Sequence, residues 1–417
     1  MTFAGNSKLT LGDLCRFQAG SAFPQEYQGA TSGDFPFIKV SDMNLGGNEV
    51  HINEANNWVS TDQLGELKAK PLPAGTPVFA KIGEALKQNR VRLLTRATII
   101  DNNMMGALAN ADVIDRRYLY YLLGQIGLPG LATGTSVPYL TVNVLFRVPV
   151  DLPLFPTQRK IVSILSVYDD LIENNSRRIK ILEEMAQTIY QEWFVKFRFP
   201  GHEKARMVDS PLGKIPEGWE VKKLKNLVSN IKQSEKSGNH LLKIPYVPID
   251  CLPRKSLYLN TSKPGSEAKS SLIRFKKYDV LFGAMRSYFH KVVIAPFNGT
   301  TRTTCFILRP NDSNYYAYSV LTLFQESTIN YANSHSKGST MPYAVWDEGL
   351  AEMSVILPPK DIVTRFNESI EPMLKRITVG YFEQKNLRQT RDLLLPKLIS
   401  GEIDVEDLDI DVGELAE

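Results

Sequence analysis

The sequence predicts an α+β protein: two tandem modules, mostly strand with short helices, separated by a long antiparallel two-helix coiled coil and related by an internal pseudo-two-fold repeat. Three observations predict it. Two unusually long apolar stripes keep a four-three spacing. A set of landmark strings recurs in one order at offsets of 198 to 209 residues, a period that means two copies of a whole domain rather than a solenoid. At 417 residues the chain is also too long for a single hydrophobic core.

The first stripe occupies residues 156–198, with Ile161, Leu165, Tyr168, Ile172, Ile179, Leu182, Ile189 and Trp193 on the seam and only Asn175 and Ala186 as polar or small members. A helix of that span is roughly 60 Å long at about 1.5 Å per residue, so it requires a partner of matching length. Residues 361–400 supply one through Phe366, Ile370, Met373, Ile377, Leu387, Leu394 and Leu398, although Gly380, Gln384 and Arg391 interrupt the apolar line. A polar seam residue such as Asn175 fixes register at some cost in stability. Glu173 and Arg177 stand at helical spacing for a solvated ion pair.

The modules read as follows. Phe35–Ile38 (FPFI), the PVFA string from Pro77 and the alternating NRVRLLTRAT read as strands, and DRRYLYYLLGQI from Asp115 as a helix. Each has a counterpart in the second half: IPYV from Ile244, DVLF from Asp279 and SNYYAY from Ser313. The clearest pair is GTSVPY from Gly134 with GSTMPY from Gly338. The resulting map is a first module at 1–155, a helix at 156–198, a linker at 199–221, a second module at 222–358, a helix at 359–400 and an acidic tail at 401–417.

Composition narrows the function. The chain is 43% hydrophobic and 23% charged, with no apolar run long enough for a membrane span and no signal or transit pattern at its start, so a cytoplasmic protein is expected. Cys15, Cys251 and Cys305 are odd in number and far apart, which suits packing rather than disulfides or zinc. The net charge of +4 conceals a tail with eight acidic and no basic residues after Gly401; without it, 49 basic side chains face 37 acidic ones. That excess points to a polyanion, and the tail reads as a solvated end. No phosphate-binding glycine loop, metal-ligand spacing or nucleophile elbow is present in the sequence. Nor is the string of Asn or Asp, two prolines and an aromatic expected of a DNA methyltransferase. A non-catalytic chain is the expectation.

Residues suited to DNA cluster at equivalent places in the two modules. In the first these are Lys81, Lys87, Gln88, Asn89, Arg90 and Arg92, with Ser136 and Tyr139 in the matched small-residue loop. In the second they are Arg286, Ser287, Tyr288, His290, Lys291 and Arg302, with Ser339 and Tyr343. Arg and Lys neutralise phosphates or bond guanine, whereas Gln and Asn suit adenine. Shared framework with different readers would give an asymmetric bipartite target.

The strings GKIPEGWEV (from Gly213), QEWFVKFRFPG (from Gln191) and LRQTRDLLLPKLISGEI (from Leu387), on this tandem plan, resemble those of the DNA specificity subunits of type I restriction-modification systems over essentially the whole chain. The resemblance implies that the modules are target recognition domains for double-stranded DNA. It also implies that the helices set the gap between half-sites and dock two modification (methyltransferase) subunits. Those partners would carry S-adenosylmethionine; no cofactor is expected on this chain, and a motor-nuclease subunit would add restriction. One departure is that the first module is entered directly at Leu9, without a copy of the GKIPEGW linker. Two alternatives stay open at this point: a stand-alone DNA-modifying enzyme, and a coiled-coil adaptor with incidental basic loops.

Overall fold

Both stripes are helices, Phe155–Tyr190 and Lys360–Ile399, in the computed structural model, which describes residues 9–134 and 137–412. The first ends in a widened turn over Gln191–Val195 and reverses at Phe197, whose φ of 57° is left-handed, so regular α-helix stops short of Arg198. Each helix is divided between two compact units, one of Met1–Ser176 with Asn386–Glu417 and one of Arg177–Lys385.

In the first unit a five-stranded sheet runs in the order Cys15–Ala19, Met104–Ala109, Pro77–Ala80, Val91–Leu94, His51–Ile52, antiparallel except for the last pair. A smaller sheet joins Trp58–Val59, Phe35–Ile38 and Ile99–Ile100. Helix Arg116–Ile126 begins where the Asp115 carboxylate accepts the N–H groups of Arg117 and Tyr118, and stops at Gly127, whose φ of 73° suits glycine. Its Tyr118, Leu119 and Leu123 pack on Ile161 and Leu165 of the first long helix and Leu398 of the second. Between those helices Arg391 meets the buried Asp169 at 2.7 Å.

Two expectations change here. Glu173, assigned by spacing to Arg177, accepts the His51 N–H and faces His51 Nδ1, both at 2.9 Å. The acidic tail is not a free solvated end through its described part: Val405 is fully buried, and Lys160 Nζ donates to the Glu406 and Leu408 carbonyls. The tail reads as solvent-loving by side-chain charge, but it docks through its backbone and the apolar side chains of Ile403, Val405 and Ile410.

The second unit repeats the plan. Its sheet runs Val228–Asn230, Cys305–Pro310, Val280–Gly283, Val292–Ile294, with a bridge from Tyr258 to Ile294 parallel, as the His51 strand is in the first unit. Tyr246 bridges Thr300 in parallel, matching Phe37 on Ile99. Helix Tyr316–Phe324 is the counterpart of Arg116–Ile126, preceded by Asp312 as Asp115 precedes the first. Antiparallel pairing of the long helices is explicit in this unit, where Phe194 stacks edge-on to Phe366 and, farther back, Ile179 meets Gly380. A Cβ at Gly380 would sit 2.6 Å from the Ile179 methyl, so a small residue is what lets the helices approach there. An aromatic group of Tyr190, Phe194, Trp219 and Tyr318 closes this core.

All three cysteines are buried free thiols; burial pushes Cys15 up to about 12 and Cys305 to about 11, which makes them packing groups rather than nucleophiles. No described helix is long and apolar enough to cross a membrane. Among the described residues there is no cluster of His, Cys, Asp and Glu able to hold a metal.

Candidate nucleic-acid interface

The same three backbone hydrogen bonds build a protruding tip in each unit. In the first, Lys81 N–H donates to the Asn103 carbonyl, Leu140 N–H to the Lys81 carbonyl and Gly83 N–H to the Pro138 carbonyl, all at 2.8 Å. In the second, Ala284 N–H donates to Thr304 (2.9 Å), Ala344 N–H to Ala284 (2.8 Å) and Arg286 N–H to Pro342 (2.7 Å). The residue leaving the strand is left-handed in both, Gly83 at φ 71° and Arg286 at φ 50°. Gly134 and Gly338 are left-handed too, at 91° and 88°, and turn the partner loop back so that Tyr139 and Tyr343 close it. A side chain at Gly134 would clash with the Val137 carbonyl.

Exposed side chains at these tips are apolar or aromatic: Ile82, Val137 and Tyr139 in the first unit, Tyr288, Met341 and Tyr343 in the second. Cations flank them. Lys87 and Gln88 are exposed, and Lys81 and Arg90 half-exposed; Arg302 and Ser339 are exposed, and Arg286 half-exposed. A rim of positive charge around an uncharged tip suits a duplex, with phosphates taken by the rim and base edges by the centre.

Five of the predicted readers are turned inwards. Asn89 donates its amide to the Gly124 carbonyl and accepts from the Leu128 N–H, which ties a left-handed turn (φ 47°) rather than reaching out. Arg92 donates to the Val91 and Met43 carbonyls, and burial lowers its pKa. Lys291 does the same with the Ile249 carbonyl, again with its pKa lowered by burial. Ser287 and His290 are buried; the His290 ring lies against Phe324, and burial lowers its pKa, leaving Glu326 at 3.5 Å to oppose that. Asn89, Arg92 and Lys291 are thus committed to backbone groups of their own domains, and Ser287 and His290 are covered. Ser136 lies outside the described residues. What the sequence reading left out of the apolar centre is Ile82, Val137 and Met341, whose signal was a hydrophobic residue next to a turn glycine or proline.

Comparison with known proteins bears directly on this geometry. The family model for the type I restriction modification DNA specificity domain matches residues 5–184 and 216–378, once on each half of the repeat. The chain belongs to this family. It is 26% identical to the type I restriction enzyme MjaIX specificity subunit of Methanocaldococcus jannaschii, over 95% of this chain and 93% of that one. It is 21% identical to the HindI specificity subunit of Haemophilus influenzae, over 73% and 81% of the two chains. Among solved structures, the S subunit of a type I restriction-modification system from M. genitalium superposes with a TM-score of 0.55 over 95% of this chain and 98% of that one, at 15% identity, which speaks for the fold alone. As a member of the family this chain is a specificity subunit with two recognition domains, and the two tips are the equivalent surfaces of those domains.

One prediction follows for the rim. Lys87→Ala and Arg90→Ala are each expected to lower the salt slope of DNA binding, the fall of log K with log salt, by about one. Lys291→Ala, whose ammonium is committed to a carbonyl, is expected to leave that slope unchanged. Equal slopes for all four proteins in a salt titration would remove Lys87 and Arg90 from the interface.

Proposed function

We propose that this chain is the non-catalytic sequence reader of a type I restriction-modification complex, in which each recognition domain reads one half of an asymmetric bipartite site. The observation that carries the reading is the pair of tips built by the same hydrogen bonds but lined by different side chains: one framework, two specificities. Its partners are double-stranded DNA and two modification subunits bearing S-adenosylmethionine, which perform the methyl transfer; a motor-nuclease subunit adds cleavage. The long helices, unbroken through Ser176 and Arg177, set the interval between half-sites and offer docking surface for the modification subunits.

The decisive experiment combines assembly and spacing. Purified chain alone is expected neither to methylate nor to cleave DNA, and with its modification subunits to methylate one bipartite sequence. Removing one heptad from each long helix withdraws about 10 Å of rise, close to three base pairs at about 3.4 Å each, and is expected to shorten the preferred gap by that amount. An unchanged gap would overturn the spacing role, and methylation by the chain alone would overturn the non-catalytic one.

A further inference from the structure

The first recognition domain has a feature that its repeat does not share in form. Beside its tip, a cleft of about 130 Å³ opens between the turn Val40–Asn44 and the short helix Gly83–Lys87. Its floor is apolar, made by Met43 and Ala80, with Val40 and Ala85 on the walls. Its rim carries two amides and a cation, Asn44, Gln88 and Arg90. Glu84 on the same rim is neutralised by Lys87 at 2.8 Å.

At the corresponding place in the second domain, Gly283 replaces Ala80 and the turn Ile249–Cys251 replaces Val40–Asn44. There the Lys291 stem lies across the space: an added Cβ on Gly283 would meet Lys291 Cβ at 3.0 Å and the Ile249 methyl at 3.3 Å, and Lys291 Nζ is bonded to the Ile249 carbonyl. In the first domain the cation at the register position of Lys291 is Arg90, which stands on the rim of the cleft and leaves it open, while Arg92 reaches the Met43 carbonyl.

We propose that this cleft is the base-reading pocket of the first recognition domain, taking the 5-methyl edge of a thymine on its floor while the rim amides bond neighbouring base edges and Arg90 holds a phosphate. The size fits, since a dry cavity of roughly 150 Å³ admits a benzene ring, so a methyl-bearing pyrimidine edge can enter this one. The chemistry fits as well. Among the four bases only thymine presents a methyl group in the major groove; amides pair with adenine, and Arg90 with the flanking Lys81 matches the phosphate charge. The inference rests on the DNA-recognition reading of this domain and adds the group that it selects.

The test uses the full chain assembled with its modification subunits and duplexes carrying the methylated target, with each thymine replaced in turn by uracil. One position in the half-site read by the first domain is expected to weaken binding about four-fold, the value of one buried methyl. Ala85→Leu, which fills the cleft from a half-exposed helical position, is expected to weaken binding to the intact target on the order of ten-fold and to abolish that uracil effect. Its responses in the other half-site should match the parent protein's. If the complex binds its target specifically but no thymine of that half-site responds, or if Ala85→Leu keeps the response, the pocket is refuted and the recognition reading stands. If the complex shows no sequence preference at all, both fall.

Discussion

Replacing Arg391 by alanine is expected to cost the first unit about 3–5 kcal/mol, the typical loss when one partner of a buried ion pair is removed. The guanidinium reaches Asp169 at 2.7 Å, and the other Asp169 oxygen accepts the Tyr121 hydroxyl at 2.7 Å. Asp169 is 2% exposed. Burial holds its carboxyl above the ordinary value although Arg391 and the two hydrogen bonds pull the other way. Burial also works against the Arg391 charge, yet the Asp169 carboxylate raises it above a free guanidinium. Without Arg391 the carboxylate is left charged and uncompensated, or takes up a proton. The pair joins the two long helices to helix Arg116–Ile126, so hydrogen exchange along that helix is the measure. Asp169→Leu with Arg391→Leu is expected to recover most of the loss, because apolar groups of similar volume carry no desolvation cost. A single variant that exchanges as slowly as the parent would show that the pair contributes nothing.

These acids also explain where the helical pattern misled. The spacing puts Leu182, Ile189 and Trp193 on the seam, and all three are only partly buried. The fully buried line runs through Asp169, Ile172, Ile179, Glu183, Ala186, Tyr190 and Phe194. It keeps the four-three rhythm as far as Tyr190 but includes two carboxylates, which a search for apolar residues must step around. Existence, length and antiparallel partnership of the helices were legible because these depend on the sum of many apolar positions. Much of the face was legible too, since Ile161, Leu165, Ile172, Ile179, Phe366, Ile370 and Ile377 of the expected seam are buried. Its course at Asp169 and beyond Ile179 was not, because Asp169 and Glu183 are held in the interior by partners distant in sequence.

Similar physics separates the legible and illegible parts of the repeat. The GTSVPY and GSTMPY strings were recognisable because a left-handed glycine and a turn proline leave few alternatives. The strand before the tip was aligned one residue early: Asp279 was set against Pro77, whereas strand pairing starts at Val280. Asp279 directly precedes the strand; its carbonyl accepts the Ala295 N–H, and its carboxylate takes Arg309 and the Lys276 N–H. Among the site residues, composition carried no information on the direction of each side chain. At a left-handed turn the next residues swing away from strand alternation, so Asn89 and His290 point inwards where alternation gave no warning.

Glu183 carries the second large effect. Its Oε1 accepts the Leu257 and Tyr258 N–H groups at 2.7 and 3.0 Å and the Ser256 hydroxyl at 2.8 Å, tying the first long helix to the sheet edge within the second unit. Glu183→Ala strands the Leu257 N–H in a buried place, whereas the Tyr258 N–H keeps the Ser256 hydroxyl oxygen at 3.1 Å, and about 2 kcal/mol of stability is expected to go at pH 5. Burial pushes the carboxyl from the usual 4.5 up to about 7, against those three hydrogen bonds. A raised folded-state pKa means that the folded chain holds this proton more tightly than the unfolded chain does. The contribution is therefore complete below pH 4.5 and is lost as pH climbs through about 7, on the order of 3 kcal/mol across the window. Glu183→Gln keeps the acceptor and removes the charge, so the parent should lose stability relative to it between pH 4.5 and 7 and run parallel to it above. Trp193, Trp219 and Trp346 all lie in this unit, so denaturant unfolding followed by tryptophan fluorescence, weighted towards it, reads the difference. A parent-to-Glu183→Gln difference that stays constant with pH would mean that Glu183 is not held protonated by burial, and that the helix is fastened to the sheet by a charged carboxylate instead.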